Sequence, residues 1–154
     1  MKLKYLILDV DGVLNTGQFH YTEDGKTVKV FGAHDSDGLK MIKHWIEIRF
    51  ISADWRGFGI SKRRIYDDMG YDIVLVPQEE REEYIRKLGF DQTVYMADGY
   101  WDAPIMRQCA YSIAPASARI EARDAASHVT PSRAAEGAVL DACLWLKDIL
   151  KINA

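Results

Sequence analysis

Two acidic clusters are the residues of this chain best suited to chemistry. Asp9-Val10-Asp11-Gly12 follows the apolar run Tyr5-Leu6-Ile7-Leu8, and Asp98-Gly99-Tyr100-Trp101-Asp102 follows Val94-Tyr95-Met96. A third polar group, Ser52, ends Ile48-Arg49-Phe50-Ile51. Alone, Asp-x-Asp-Gly reads equally well as an ordinary turn, because turns favour both residue types. The second cluster weighs against that reading if the two clusters meet. Carboxylates gathered in one place repel each other, and a divalent cation is the usual physical remedy. Hard oxygen donors with no Cys-His cluster nearby favour Mg²⁺ over zinc. Such an ion, with carboxylates and the Ser52 hydroxyl, suits phosphoryl transfer. The ion offsets phosphate charge. One carboxylate can attack phosphorus, while a second protonates the departing oxygen and then deprotonates water.

The elements around these residues alternate between strand and helix. Tyr5–Leu8 is a short continuous apolar run, as a strand buried on both faces reads, and Ile48–Ile51, Ile73–Val76, Val94–Met96 and Tyr111–Ile113 read as further strands. Between them, Ser36–Trp45, Ile60–Met69 and Glu79–Leu88 read as helices, and Ala138–Ile149 closes the chain as another. Phe19–Tyr21 and Lys29–Phe31, separated by Glu23-Asp24-Gly25-Lys26, read as a hairpin. This order predicts an α/β three-layer sandwich with a central parallel sheet. In such sheets ligands bind beyond the carboxyl ends of the strands. Asp9, Ser52 and Asp98, each at a strand end, are therefore expected at one rim.

The bulk properties narrow the partners. The 154 residues suit one domain. A net charge of -3 with no basic stripe gives nucleic acid no electrostatic footprint. The apolar runs are strand-sized, so no membrane span is expected, and the first of them reaches Asp9 too soon for a signal-peptide core. Cys109 and Cys143 are expected as free thiols in a reducing cytoplasm.

Asp9-Val10-Asp11-Gly12-Val13-Leu14 resembles the first motif of the haloacid-dehalogenase (HAD) superfamily, Ser52 the second, and Asp98 with Asp102 the fourth. The order and spacing match along most of the chain. Within the superfamily, Lys29-Val30-Phe31-Gly32-Ala33-His34-Asp35-Ser36-Asp37-Gly38-Leu39-Lys40-Met41 resembles a stretch of the capless 3-deoxy-manno-octulosonate 8-phosphate phosphatases, as does the tail at Val129-Thr130 and Glu136-Gly137-Ala138-Val139.

The resemblance implies a HAD-like Rossmannoid fold without a cap domain, the hairpin serving as a small flap, and four subunits that help close each other's sites. It implies Asp9 as nucleophile and metal ligand, and Asp11 as general acid/base with its backbone carbonyl facing the metal. Asp98 would be the third Mg²⁺ ligand and Asp102 an outer partner. Ser52, Ala53 and Gly99 would hold phosphate oxygens, with His34 and Asp35 facing the substrate, a small phosphorylated metabolite such as a sugar or sugar acid. Four positions depart from the family pattern, one of them Thr16, where the family has Asp. Ser52-Ala53-Asp54 stands where the family has Thr-Gly-Arg, and His34 where it has Arg. The third-motif Lys has no counterpart at its usual place, which leaves Arg81 as the nearest cation and Lys62, Arg63 or Arg56 as alternatives. Two other readings stay open: a phosphatase for another small monoester, and a weakened scaffold that only assembles.

Overall fold

The computed structural model describes residues 2–153, with side chains through 151. Six strands form one parallel sheet. In chain order they are β1 (Tyr5–Asp9), β4 (Glu47–Ser52), β5 (Asp72–Leu75), β6 (Thr93–Met96), β7 (Tyr111–Ala114) and β8 (His128–Val129), and in space they lie β5-β4-β1-β6-β7-β8. The flap is a separate antiparallel pair, β2 (His20–Thr22) and β3 (Gly25–Val28). The helices are α1 (Asp35–Ile42), α2 (Phe58–Lys62), α3 (Arg81–Leu88), α4 (Ala103–Met106), α5 (Ile120–Ala125) and α6 (Ala138–Asn153).

Strand side chains alternate between faces, and each face is buried under a different set of helices. Leu6, Leu8, Phe50, Val94 and Met96 pack beneath Leu39 and Ile42 of α1 and Val139, Cys143 and Leu146 of α6. Ile7, Ile51 and Tyr95 face the other way, against Ile85 of α3 and Ile105 and Met106 of α4. Both faces being dry explains why the runs are uninterrupted apolar sequence rather than alternating. The two thiols are unpaired, and burial pushes both up to about 12.

The chain runs outward from β1 to β4 and β5, then crosses back to β6 on the other side of β1. A parallel sheet that reverses its winding opens a crevice at the carboxyl ends beside the reversal. Asp9 ends β1 and pairs in register with Ile51, so Ser52 stands one residue further along the adjoining strand. Asp98 follows β6, whose Met96 pairs with Leu8. The expected convergence of strand ends is thus built into the topology.

Several expected boundaries move. Lys29–Phe31 is not a strand: β3 stops at Val28, Lys29 turns inward, and Phe31 makes only an isolated bridge to Asn15. The helix expected over Ile60–Met69 starts at Phe58 and widens into a π-helical stretch over Arg63–Asp68. The one expected over Glu79–Leu88 begins with a 3₁₀ turn, Gln78–Glu80, before α3. Strand β8 and helices α4 and α5 carry too few residues to show a period.

Helices α1 and α6 approach each other tightly at Gly38. A Cβ there would stand 2.8 Å from the Leu140 Cα and 3.0 Å from the Cys143 Cβ. Asp35, one turn earlier, ties the same pair together: its Oδ1 accepts the Val139 and Leu140 N–H groups at 3.1 and 3.2 Å. Replacing a helical glycine with alanine ordinarily stabilises by about 0.5–1 kcal/mol. Here Gly38→Ala is expected to reverse that sign, because the obstructing atom is backbone, and to destabilise by ~1–3 kcal/mol. A thermal melt should show Tm falling by several degrees; a rise would mean that α6 yields freely.

Candidate active site

The sequence places Asp9 where β1 stops being able to bury apolar side chains, and the fold makes that stop a partly enclosed pocket. Asp9 is 7% exposed. Its Oδ1 accepts the Val10 N–H at 2.8 Å and the Arg81 Nη2 at 3.0 Å. Oxygens of Asp9, Asp98 and Asp102 all lie within 4.8 Å of one another, a set that could hold a metal ion. Asp102, expected only as an outer partner, therefore belongs to the same constellation.

This proximity depends on Gly12. Its φ of +82° suits glycine, and a Cβ built there would fall 1.9 Å from the Asp98 Oδ2. Any side chain at position 12 would occupy the place of the Asp98 carboxylate. Glycine in the first motif thus does two things: it turns the chain in the left-handed region and admits the second acidic cluster.

The cation that fits the pocket is Arg81, first residue of α3 and 2% exposed. Its Nη1 bonds Asp102 Oδ1 at 3.2 Å and the Tyr95 hydroxyl at 3.1 Å, while Nη2 bonds Asp9. The Tyr95 hydroxyl donates to Asp102 Oδ1 at 2.6 Å. Arg81 Nε is buried without an acceptor. Of the alternatives, Arg56 lies over the Trp55 ring, Lys62 over Tyr66, and Arg63 pairs with Asp67 and Asp68 at the surface.

Charge in this pocket does not balance. Three carboxylates face one guanidinium. Burial raises Asp9 above the usual carboxylate range; the Arg81 charge opposes this and Asp102 adds to it. Burial, then the charges of Asp9 and Asp102, pushes Asp98 up to about 8. Burial and the Asp102 charge likewise carry Tyr95 well above its ordinary value, so it stays a neutral donor.

A second polar network adjoins the first, and here the charges do balance. Lys29, 7% exposed, sends its ammonium to Asp11 Oδ1 at 2.9 Å, Asp54 Oδ2 at 2.9 Å and Ser61 Oγ at 2.7 Å. Lys26 of β3 meets the same Asp54 oxygen at 2.7 Å. Burial works to raise Asp54, but hydrogen bonds and charge from the two lysines outweigh it and hold the carboxyl below its usual range. Asn15, fully buried, donates to Asp11 Oδ1 at 2.8 Å and accepts the N–H groups of Gly12 and Gly17.

The other expected residues divide. Ser52 is buried at the end of β4 and its Oγ accepts the Asp54 N–H at 3.1 Å. Ala53 sits half-buried beside it. Gly99 needs correction as a phosphate donor, because its N–H is already given to Asp102 Oδ2 at 3.1 Å. Asp35 is corrected too. It is 1% exposed, and its carboxylate holds the first turn of α6 rather than facing a substrate. His34 is exposed at the head of α1 and joins neither network. Trp55 and Trp101 lie 65% and 70% exposed, which rules out core packing for either. Lys29, Lys26, Asn15, Ser61 and Tyr95 were not singled out by the sequence. The only signals for Lys29 were a basic residue within an otherwise apolar stretch, Val28–Phe31, and the unexplained acid at Asp54.

No protein-family model matches the chain. Among curated proteins it is 33% identical over 142 residues to the 3-deoxy-D-manno-octulosonate 8-phosphate phosphatase of Haemophilus influenzae, covering 88% of this chain and 78% of that protein. It is 26% identical over 152 residues to the enzyme of the same name from Escherichia coli K12, covering 92% and 77%. A solved cobalt-bound form of the Haemophilus influenzae phosphatase superposes with a TM-score of 0.81 at 29% identity, over 99% of this chain and 91% of the other. The Moraxella catarrhalis 3-deoxy-D-manno-octulosonate 8-phosphate phosphatase, solved in complex with a magnesium ion, a phosphate ion and a KDO molecule, superposes with a TM-score of 0.79 at 25% identity, over 94% and 86%. With the sheet order, the acidic cluster and these similarities in hand, the chain belongs to the 3-deoxy-D-manno-octulosonate 8-phosphate phosphatase family of HAD-type phosphatases.

Proposed function

We propose that this protein is a Mg²⁺-dependent phosphatase that hydrolyses a small phosphorylated sugar or sugar acid through an aspartyl-phosphate on Asp9. The observation that carries this reading is the charge mismatch in the first pocket: three clustered carboxyl groups, once ionised, outnumber the one guanidinium by two, the complement of a divalent ion. The donors are all hard oxygens, as Mg²⁺ prefers. Asp9 and Asp98 would hold it, with the Asp11 backbone carbonyl and with Asp102 close behind. When bound, the ion offsets charge on the phosphate and on Asp9.

The chain's own groups then divide the work. An Asp9 oxygen attacks phosphorus, so that the new acyl-phosphate bond forms as the ester P–O bond breaks. Asp11 gives its proton to the departing oxygen. Water next loses a proton to Asp11 and attacks phosphorus, which releases phosphate and restores the Asp9 carboxylate. Ser52 and the Ala53 N–H receive phosphate oxygens. Arg81 stands where charge gathers, and its unmet Nε–H is a donor that an arriving oxygen can satisfy. This makes Arg81 the replacement for the family's third-motif lysine, and it counts against a weakened scaffold.

Four subunits in a reducing cytoplasm complete the reading. The free thiols and the exposed Tyr21, Val28 and Val30 on and after the flap are in keeping with it. Among the described residues no helix is long and apolar enough to cross a membrane.

The deciding experiment is hydrolysis of 4-nitrophenyl phosphate and of 3-deoxy-D-manno-octulosonate 8-phosphate with and without Mg²⁺. Wild type should be active only with the ion, and Asp9→Asn should lose at least ~10³-fold, the scale on which removal of a nucleophile acts. Equal inertness of both proteins toward every phosphomonoester offered would reject the phosphatase reading. Arg81→Met should lower kcat by ~10²–10³-fold. Arg81→Lys should recover only part of this, because an ammonium cannot reproduce the forked contacts. Mg²⁺ should also raise Tm more at pH 8 than at pH 6. The Asp98 carboxyl, raised to about 8, contributes stability that is greatest at acid pH and is lost as pH climbs through that value. The ion binds the ionised form and restores what was lost. A shift independent of pH would show that Asp98 is not among the ligands.

A further inference from the structure

The second network has no evident part in the chemistry, yet it ends on Asp11. We propose that Lys29 is a positioning residue for the proton-transfer step, an assignment that rests on Asp11 acting as the acid. Three observations converge. The Lys29 side chain is wholly buried, a costly place for an ammonium unless every proton has a partner. Its ammonium donates to Ser61 Oγ in α2 and forms ion pairs with Asp11 after β1 and Asp54 after β4, three groups from separate parts of the chain. Both groups that grip the Asp11 side chain, Lys29 Nζ and Asn15 Nδ2, hold the same oxygen, Oδ1. That fixes the carboxyl rotamer and assigns the exchange of the proton to Oδ2.

The rest of the network secures Lys29. Asp54 draws in Lys26 as well, and the Lys26 ammonium also lies 3.5 Å from the Phe19 ring centroid at the base of the flap. A Cβ on Gly57 would fall 2.5 Å from the Asp54 Oδ2 and 2.7 Å from the Lys29 Cε, so the loop before α2 is closed tightly over both. The flap is therefore fastened to the loop after β4 through the residue that orients Asp11. Asp54 stands at the position where arginine was expected, and the geometry gives it a use: it is the counter-charge that seats Lys29.

A positioning role and a merely structural one differ in what they do to different leaving groups. The nitrophenolate of 4-nitrophenyl phosphate departs readily without a proton. The phenolate of phenyl phosphate is a far stronger base, near the tyrosine phenol at about 10, and gains from an acid. The quantity to measure is kcat/KM, which ends at phosphoryl transfer to Asp9 and so excludes the later water step. Lys29→Met should lower kcat/KM for phenyl phosphate by ~10–10²-fold, approaching the scale of general acid catalysis, and for 4-nitrophenyl phosphate by less than about threefold. Lys29→Arg should restore part of the loss. Because Lys29→Met leaves Asp11 without its cation and Asp54 with Lys26 alone, the charge-balanced Lys29→Met/Asp54→Asn pair is measured alongside, and it should show the same preference. Equal losses on both substrates in the variants that fold would make Lys29 a structural residue and overturn the proposal. Asp11→Asn separates the two layers. If it discriminates between the leaving groups and the Lys29 variants do not, the assignment of Lys29 alone falls; if it does not discriminate, Asp11 is not the acid.

Discussion

The structure turns on the mutual repulsion of Asp9, Asp98 and Asp102. Three carboxyl groups with oxygens inside 4.8 Å of one another are unstable company in a site this buried. Solvation is limited, so the energy has to be met by a cation, a shared proton or both. Arg81 meets part of it, and burial beside like charges raises the carboxyls of Asp9 and Asp98. A site in that condition is suited to a divalent ion, whose charge would answer what remains. The function follows from leaving the charge unfinished.

The sheet makes the cost bearable. Because β1 lies between β4 and β6, the ends of three strands meet without any long loop having to reach across. Gly12 lets the two acidic clusters touch, and the dry interiors on both faces of the sheet hold the strand ends in place. The neighbouring network shows the contrast. There Asp11 and Asp54 face Lys26 and Lys29, two charges of each sign, and nothing further is called for. One pocket is built to receive charge and its neighbour to stay rigid.

What was legible in the sequence follows the same physics. Asp9, Ser52 and Asp98 could be read because each ends an apolar run, and the end of a buried strand is a local event. Arg81 could be read only as one of several cations, because its reach depends on where α3 begins. The 3₁₀ turn at Gln78–Glu80, which sets that start, leaves no periodic trace. Lys29 was hidden, since its apolar neighbours Val28, Val30 and Phe31 made the stretch look like a strand. Asp35 was misplaced for the opposite reason. Its place in the family pattern pointed to the substrate, whereas its partners are backbone groups of α6 more than a hundred residues away, a pairing no local pattern reveals.

The change of charge at position 54 bears on how a fold of this kind tolerates substitution at its site. Placing an acid where arginine was expected ought to repel a phosphate. It does not have to, because Asp54 is held below the usual carboxylate range by two ammonium groups that leave the trio with a net positive charge. Adding Asp11 brings the group to neutrality, so an arriving anion meets a balanced wall on this side and Arg81 on the other. The unbalanced charge is thereby concentrated in the first pocket, beside Asp9, while the two lysines hold Asp11 and Asp54 in place.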